Sequence, residues 1–218
     1  MLAIVDRRAW FDLQNQVVER VHVSWLPHID PELCLGARCT VSGRRGLANQ
    51  LSKTCPSLFG LPPESGPVSA RDLHRSKWLA VLLREPLECA LDLGSVAFAT
   101  TIRTSVTRPL VSRLRAALGG ERYARVVRTS RADFAASSPD LDAAEATDTS
   151  GDIIDVLTRR GAHELAAYAS YVHRALGESV KLCFECNWWD CISAPLLSPV
   201  VAESCLKLRC PDCFEVER

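Results

Sequence analysis

SGDIIDVLTRRGAHELAAYASYVHRAL, residues 150–176, decides the fold. Its apolar residues Ile153, Val156, Leu157, Leu165, Ala166, Tyr168, Ala169 and Val172 return at helical spacing, which brings them to one face of an α-helix and would scatter them over both faces of a strand. The stretch holds no proline. A helix is therefore expected from near Ser150 to about Leu176, with those residues facing inward.

The same period recurs upstream. Pro109 suits the first turn of a helix whose buried stripe is Leu110, Val111, Leu114 and Leu118, and Gly119-Gly120 ends it. Residues 121–129 read as a short amphipathic continuation. Residues 87–104 carry Leu87, Leu91, Val96, Ala97 and Ile102 with Gly94 inside, which predicts a second buried helix or a helix pair. Ser69 can cap a further helix, expected to follow it, with Asp72 completing an acidic variant of the capping box, Trp78, Leu79, Leu82 and Leu83 as its stripe, and Pro86 as its break or restart.

Closer to the N-terminus the texture changes. From Pro27 to about Pro67 the chain is rich in Gly, Pro, Ser and Cys, which reads as loops and short helical turns that wrap a core without building one. Before it, Trp10, Phe11, Leu13, Val17, Val18 and Val21 are spaced as a helix packed on one face. The expected architecture is mainly α. One helical domain spans residues 1–180 with a long irregular N-terminal loop region, and a Cys-rich C-terminal segment, 181–218, packs on the same domain. The expected packing anchors are Trp10, Trp25, Leu79, Leu82, Leu114 and Leu165.

With 218 residues, 47% of them hydrophobic and 24% charged, the chain has the composition of an ordinary globular protein. Twenty-six basic and twenty-six acidic side chains leave no net charge, so the overall field draws in neither nucleic acid nor anionic lipid. The neutral sum conceals a polarity. Eight arginines and one acid lie between Arg103 and Arg131, whereas seven acids and no base lie between Asp133 and Asp155. One reading is a solvated basic helix beside an acidic loop. The other is two docking surfaces of opposite sign, the basic one carried by Arg113, Arg115, Arg122 and Arg125.

Ten cysteines are present. Asp6-Arg7-Arg8 stops the apolar run Leu2 to Val5 too early for an export signal, and the uncharged stretches Leu93–Ile102 and Cys191–Ala202 are too short to span a bilayer. Reduced thiols in the cytosol are expected. Cys183-Phe-Glu-Cys186 and Cys210-Pro-Asp-Cys213 form two C-x2-C pairs with 23 residues between them. Four thiolates so paired can close a tetrahedral zinc site, yet the interval exceeds the usual one and Cys191 and Cys205 are left over. Small buried hydrophobes are the alternative.

Enzyme signatures fail on inspection. His163-Glu164 begins like a zinc-protease helix, but position 167 is alanine, and no P-loop, dinucleotide fingerprint or nucleophile elbow occurs. His22, His28, His74, His163 and His173 are scattered. No catalytic, cofactor-binding or metal-binding residue is assigned, and no cofactor is expected.

Val21-His22-Val23-Ser24-Trp25-Leu26-Pro27 resembles the His-Pro-Ser-Trp-Leu-Pro signature near the N-terminus of the SctK family of bacterial type III secretion proteins, with Val23 where that family often has proline. A preceding helix and a Leu-rich helical middle extend the likeness over most of residues 1–180. The rhizobial branch of the family, NolU, is linked with nodulation host range. The resemblance implies a non-enzymatic cytosolic adaptor of the sorting platform. Its implied partners are the inner-membrane ring protein and the pod protein, with neither nucleic acid nor a membrane span. The last 35 residues, rich in cysteine, depart from the family.

Overall fold

The computed structural model describes residues 7–59, 84–104, 107–128, 150–190 and 194–209. Their regular structure is helical: α1 (Arg7–Arg20), α2 (Pro31–Arg38), α3 (Val41–Thr54), α4 (Pro56–Phe59), α5 (Pro86–Ala97), α6 (Ala99–Thr104), α7 (Arg108–Leu118), α8 (Gly120–Arg128), α9 (Ser150–Val172), α10 (Arg174–Leu182) and α11 (Pro199–Lys207). Short 3-10 turns occupy Val23–Trp25 and Cys186–Trp189. No strand occurs among the described residues. The protein is mainly α.

Contacts within the chain gather into two compact units: residues Met1–Val81 with Ala169–Cys191, and residues Leu82–Tyr168 with Ile192–Arg218. This division runs across the 1–180 and 181–218 segments expected from the sequence. Cys183 and Cys186 belong to unit 1, and Cys205 to unit 2.

Unit 1 corrects the reading of residues 27–59 as irregular. Three helices lie there, and Cys34, Leu47, Leu51, Cys55 and Leu58 are buried in one cluster with Val17, Val18, Val21, Leu26, Ala175 and Leu182. The prolines and polar residues that suggested loops are helix starts. Asp30 caps α2, its carboxylate accepting from the N–H groups of Glu32 at 2.8 Å and Leu33 at 3.3 Å, with Pro31 in the first turn. Thr40 caps α3 by accepting from Gly43 N–H at 3.0 Å. These segments build the core that they were expected to wrap. In the same unit the expected helix 150–176 breaks early: α9 ends at Val172, because His173 is extended, at φ −162°, and begins α10. Gly177 permits the fold-back, since a Cβ there would strike the Ser170 side chain.

Unit 2 is arranged about α5, in which every residue from Cys89 to Ala97 is buried. A helix buried all round needs close neighbours. α11, α6 and α8 supply some of them, and α9 supplies the closest approach. A Cβ on Gly94 would collide with the Leu157 carbonyl oxygen, and one on Gly161 with the Ala90 carbonyl oxygen. The apolar cluster of the unit joins Leu91, Phe98, Ile102, Leu110, Leu114, Leu118, Val126, Ile153 and Leu157. The expected stripes are largely recovered. Leu87 and Val156 are the exceptions and are exposed, Leu87 because it lies in the first turn ahead of the buried run and Val156 because it sits at the edge of its stripe. Gly119, at φ 74°, ends α7 as the glycine pair predicted.

Of the packing anchors, Leu114 and Leu165 are fully buried and Trp25 is half-buried against the unit 1 core. The side chain of Trp10, and Leu79 and Leu82 with the helix expected from Ser69, lie outside the described residues, as do residues 133–149 of the acidic stretch. Phe11, expected on the buried stripe of α1, is 53% exposed.

Candidate functional site

Two constellations carry the residues that the sequence singled out. The first is the signature segment of unit 1. After α1 the chain turns through Val23–Trp25, and nearly every signature residue acquires a structural task. Val21 and Leu26 are buried. His22 donates its backbone N–H to Leu182 O at 2.7 Å. Ser24 Oγ accepts from the backbone N–H of Cys186 at 2.9 Å, and Trp25 Nε1–H donates to Phe184 O at 2.8 Å. The guanidinium of Arg38 donates to Val21 O. Residues 21–25 thus clasp residues 182–186, more than 150 positions away in sequence.

The clasped turn presents aromatic rings. Phe184 stacks on Trp188 at 5.5 Å between centroids and meets Trp189 edge-on at 6.3 Å, and the Lys181 ammonium lies 5.7 Å from the Trp189 ring. Cys183 and Cys186 share this turn. The Cys183 thiol donates to Ser179 O at 3.3 Å, and burial pushes its pKa up to about 12 despite the opposing charge of Arg20. It is a thiol at neutral pH and would become a metal ligand only on surrendering that proton. Cys210 and Cys213, the other half of the predicted pairing, lie outside the described residues. The described cysteines are free thiols. Among the described residues no three His, Cys, Asp or Glu side chains are grouped to hold a metal ion.

The second constellation is the arginine cluster of unit 2, expected on α7 and α8 as a docking surface. Arg122 and Arg125 are instead engaged inside the unit. Arg122 pairs with Asp92 at 2.6 Å and Glu88 at 2.7 Å. Arg125 stands 3.9 Å from Asp92. Arg209 spans three carboxylates, reaching Asp92 at 2.7 Å, Glu85 at 2.6 Å and Glu88 at 2.8 Å. Burial alone would lower the pKa of Arg122 and Arg209, but the hydrogen bonds and charge of Asp92, joined by Glu88, outweigh it and raise both. Asp92 is only 4% exposed, and its two oxygens serve two guanidinium groups. Arg115 remains exposed, its guanidinium 5.1 Å from the Tyr123 ring centre, and Arg113 is half-buried. An open cleft of about 520 Å³ borders the cluster between Gly119, Gly120, Arg125 and Leu208.

Asp92 and Glu164 were not singled out by the sequence. The signal for Asp92 was a lone acid inside an apolar run, Cys89 to Ala97, which a helix can bury only with cationic partners. Glu164 was weighed only as half of a zinc-protease motif. Its buried carboxylate instead accepts from the backbone N–H groups of Leu196 at 2.9 Å and Leu197 at 3.0 Å and pairs with Arg160. It pins the segment that enters α11. His22 and His173 both serve as cap acceptors, His28 is exposed, His163 is buried, and His74 lies outside the described residues.

These features define a class: a mainly α-helical protein in two units, with no helix among the described residues long and apolar enough to cross a membrane. No family model, no curated protein and no solved structure matches the chain.

Proposed function

We propose that the chain is a non-enzymatic cytosolic adaptor of a bacterial type III secretion sorting platform, joining the inner-membrane ring protein to the pod protein. In a rhizobial setting its loss would alter nodulation host range. The observation that carries the reading is the signature-like segment Val21–Pro27, preceded by helix α1 and followed by helices. An adaptor needs separable surfaces, and two compact units supply a basis for them. With Arg122 and Arg125 engaged internally, docking by charge would fall to the exposed arginines of the stretch, among them Arg103, Arg108, Arg115 and Arg128. Co-purification of folded chain with the ring and pod proteins tests the proposal, and failure to retain either one overturns it.

A zinc-stabilised binding module is the competing proposal, favoured by the placement of Cys183 and Cys186 on one turn. Elemental analysis of chain purified without chelator separates the two. One zinc per chain, lost in Cys210→Ser, supports the module.

A further inference from the structure

The cleft beside the arginine cluster is one end of a groove. Its volume of about 520 Å³ continues into a second of about 730 Å³ along α8, and the two share Gly120, Glu121, Arg125 and Leu208. All of it lies within unit 2. Gly120, Ala124 and Arg128 follow one another every four residues, so one face of α8 borders the groove along the whole helix. The floor is low because its side chains are small: a Cβ on Gly119 or Gly120 would meet nothing within 4 Å. Leu208, 60% exposed, supplies an apolar wall.

Charge lines the groove unevenly. The guanidinium groups of Arg122, Arg125, Arg128 and Arg209 border it, against the carboxylates of Asp92 and Glu121. Glu85 and Glu88 pair with Arg209 and Arg122 but lie outside the lining. Asp92 is buried at one end, with Arg122 and Arg209 on its two oxygens. Over the rest of the length Arg125 and Arg128 stand against Glu121 alone, and positive charge prevails.

Shape and charge together narrow the occupant. From Gly120 to Arg128 the helix rises about 12 Å at 1.5 Å per residue, which matches about four residues of extended polypeptide. A single small anion would leave most of that length empty. No aromatic side chain lines the groove for a base to stack on, and the chain has no net charge to draw in a nucleic acid or an anionic bilayer. An extended peptide turns successive side chains to opposite sides, so alternating acidic and apolar residues can meet the arginines and Leu208 at once.

We propose that this groove docks a short, extended, acidic segment of a partner protein, its carboxylates meeting Arg125 and Arg128 and an apolar side chain covering Leu208. Such docking follows from the groove alone, whatever apparatus the partner belongs to. Its attraction is electrostatic at an open surface, and salt weakens it.

The test uses the whole chain and, as probe, a fluorescein-labelled hexapeptide of alternating glutamate and leucine, followed by fluorescence anisotropy. Arg128→Glu, at an exposed position, should weaken binding about tenfold, and Leu208→Ser about threefold. Arg115→Glu, on α7 and outside the lining, should change it less than twofold. No saturable binding, or equal binding by Arg128→Glu and the wild type, overturns the proposal. So does tighter binding of a single-stranded oligonucleotide or of phosphatidylglycerol vesicles than of the peptide. NMR of the wild-type chain decides independently of whether the variants fold: peptide-induced shifts at the Gly119 and Gly120 amides support docking in the groove, and shifts confined to other residues overturn it.

Discussion

Both units bury an apolar cluster, but the polar groups that tie distant segments together are of opposite kinds. In unit 1 the ties between residues 21–25 and 182–186 are neutral: backbone N–H and C=O groups, one hydroxyl and one indole. In unit 2 they are charged: Asp92 pairs with Arg122 and Arg209, and the Glu164 carboxylate accepts from the backbone N–H groups of Leu196 and Leu197. Neutral ties are lost one at a time, at roughly 1 kcal/mol each. Removing a buried carboxylate shared by two guanidinium groups takes the most buried partner from both cations at once. The two units should therefore respond differently to substitution, acid and salt.

The largest effect is expected at Asp92. Replacing it with alanine leaves Arg122 and Arg209 without the buried carboxylate they share and should cost about 3 kcal/mol, seen as a lower urea midpoint at unchanged slope. A loss under about 1 kcal/mol would mean that the half-exposed Glu88 and the exposed Glu85 hold the arginines by themselves, and would erase the contrast between the units.

Next comes Gly161→Ala, which drives a methyl into the Ala90 carbonyl and should cost about 2–3 kcal/mol by separating α9 from α5. The comparison substitution in unit 1, Gly46→Ala, meets nothing within 4 Å and should be neutral or slightly stabilising. If both substitutions are tolerated in thermal melts, the close crossing of α5 and α9 is not what orders unit 2.

Trp25→Phe keeps most of the ring and removes the donor to Phe184 O, so unit 1 should lose about 1 kcal/mol, a third of the Asp92 effect. A loss as large as that at Asp92 would show the clasp to be as cooperative as the ionic cluster.

The smallest effects are those of the thiols. At pH 8 the exposed Cys39 should react rapidly with a maleimide, while Cys89, Cys183 and Cys205, each pushed up to about 12 chiefly by burial, should stay unmodified in mass spectra of the intact protein. Their raised folded-state values also set a sign. The folded chain keeps these protons where the unfolded chain loses them, so their contribution is complete below pH 9 and declines as the pH rises towards 12. Cys55, pushed to about 11, falls within the same window.

Much of the helical content could be read from residue order. The Leu110–Leu114–Leu118 stripe and the Gly119-Gly120 stop appear where expected, because period and chain punctuation are local properties. Residues 27–59 were misread for an instructive reason. Pro31 and Pro56 interrupt a helix from inside but favour its first turn, and only their position relative to Asp30 and Cys55 distinguishes the two cases. The break at His173 was likewise hidden, since histidine is an uncommon cap and the apolar period continues through it.

The candidate constellations were legible by residue type and not by role. Arg122 and Arg125 stood out as charges, yet the carboxylate that engages them comes from α5, some 30 residues earlier. Ser24 and Trp25 stood out as a signature, yet their partners are backbone groups of residues 184 and 186, and any sequence supplies a backbone.

By itself, then, the order of residues determined the helical class, several helix ends and the uneven distribution of charge, since each depends on neighbours within a few turns. Tertiary structure alone decided which arginines are engaged and which stay exposed, which cysteines are buried, and that a segment near each end of the chain would meet in one unit. Burial and pairing are long-range outcomes: a guanidinium is a surface charge or a core ion according to whether a carboxylate from elsewhere in the chain reaches it first.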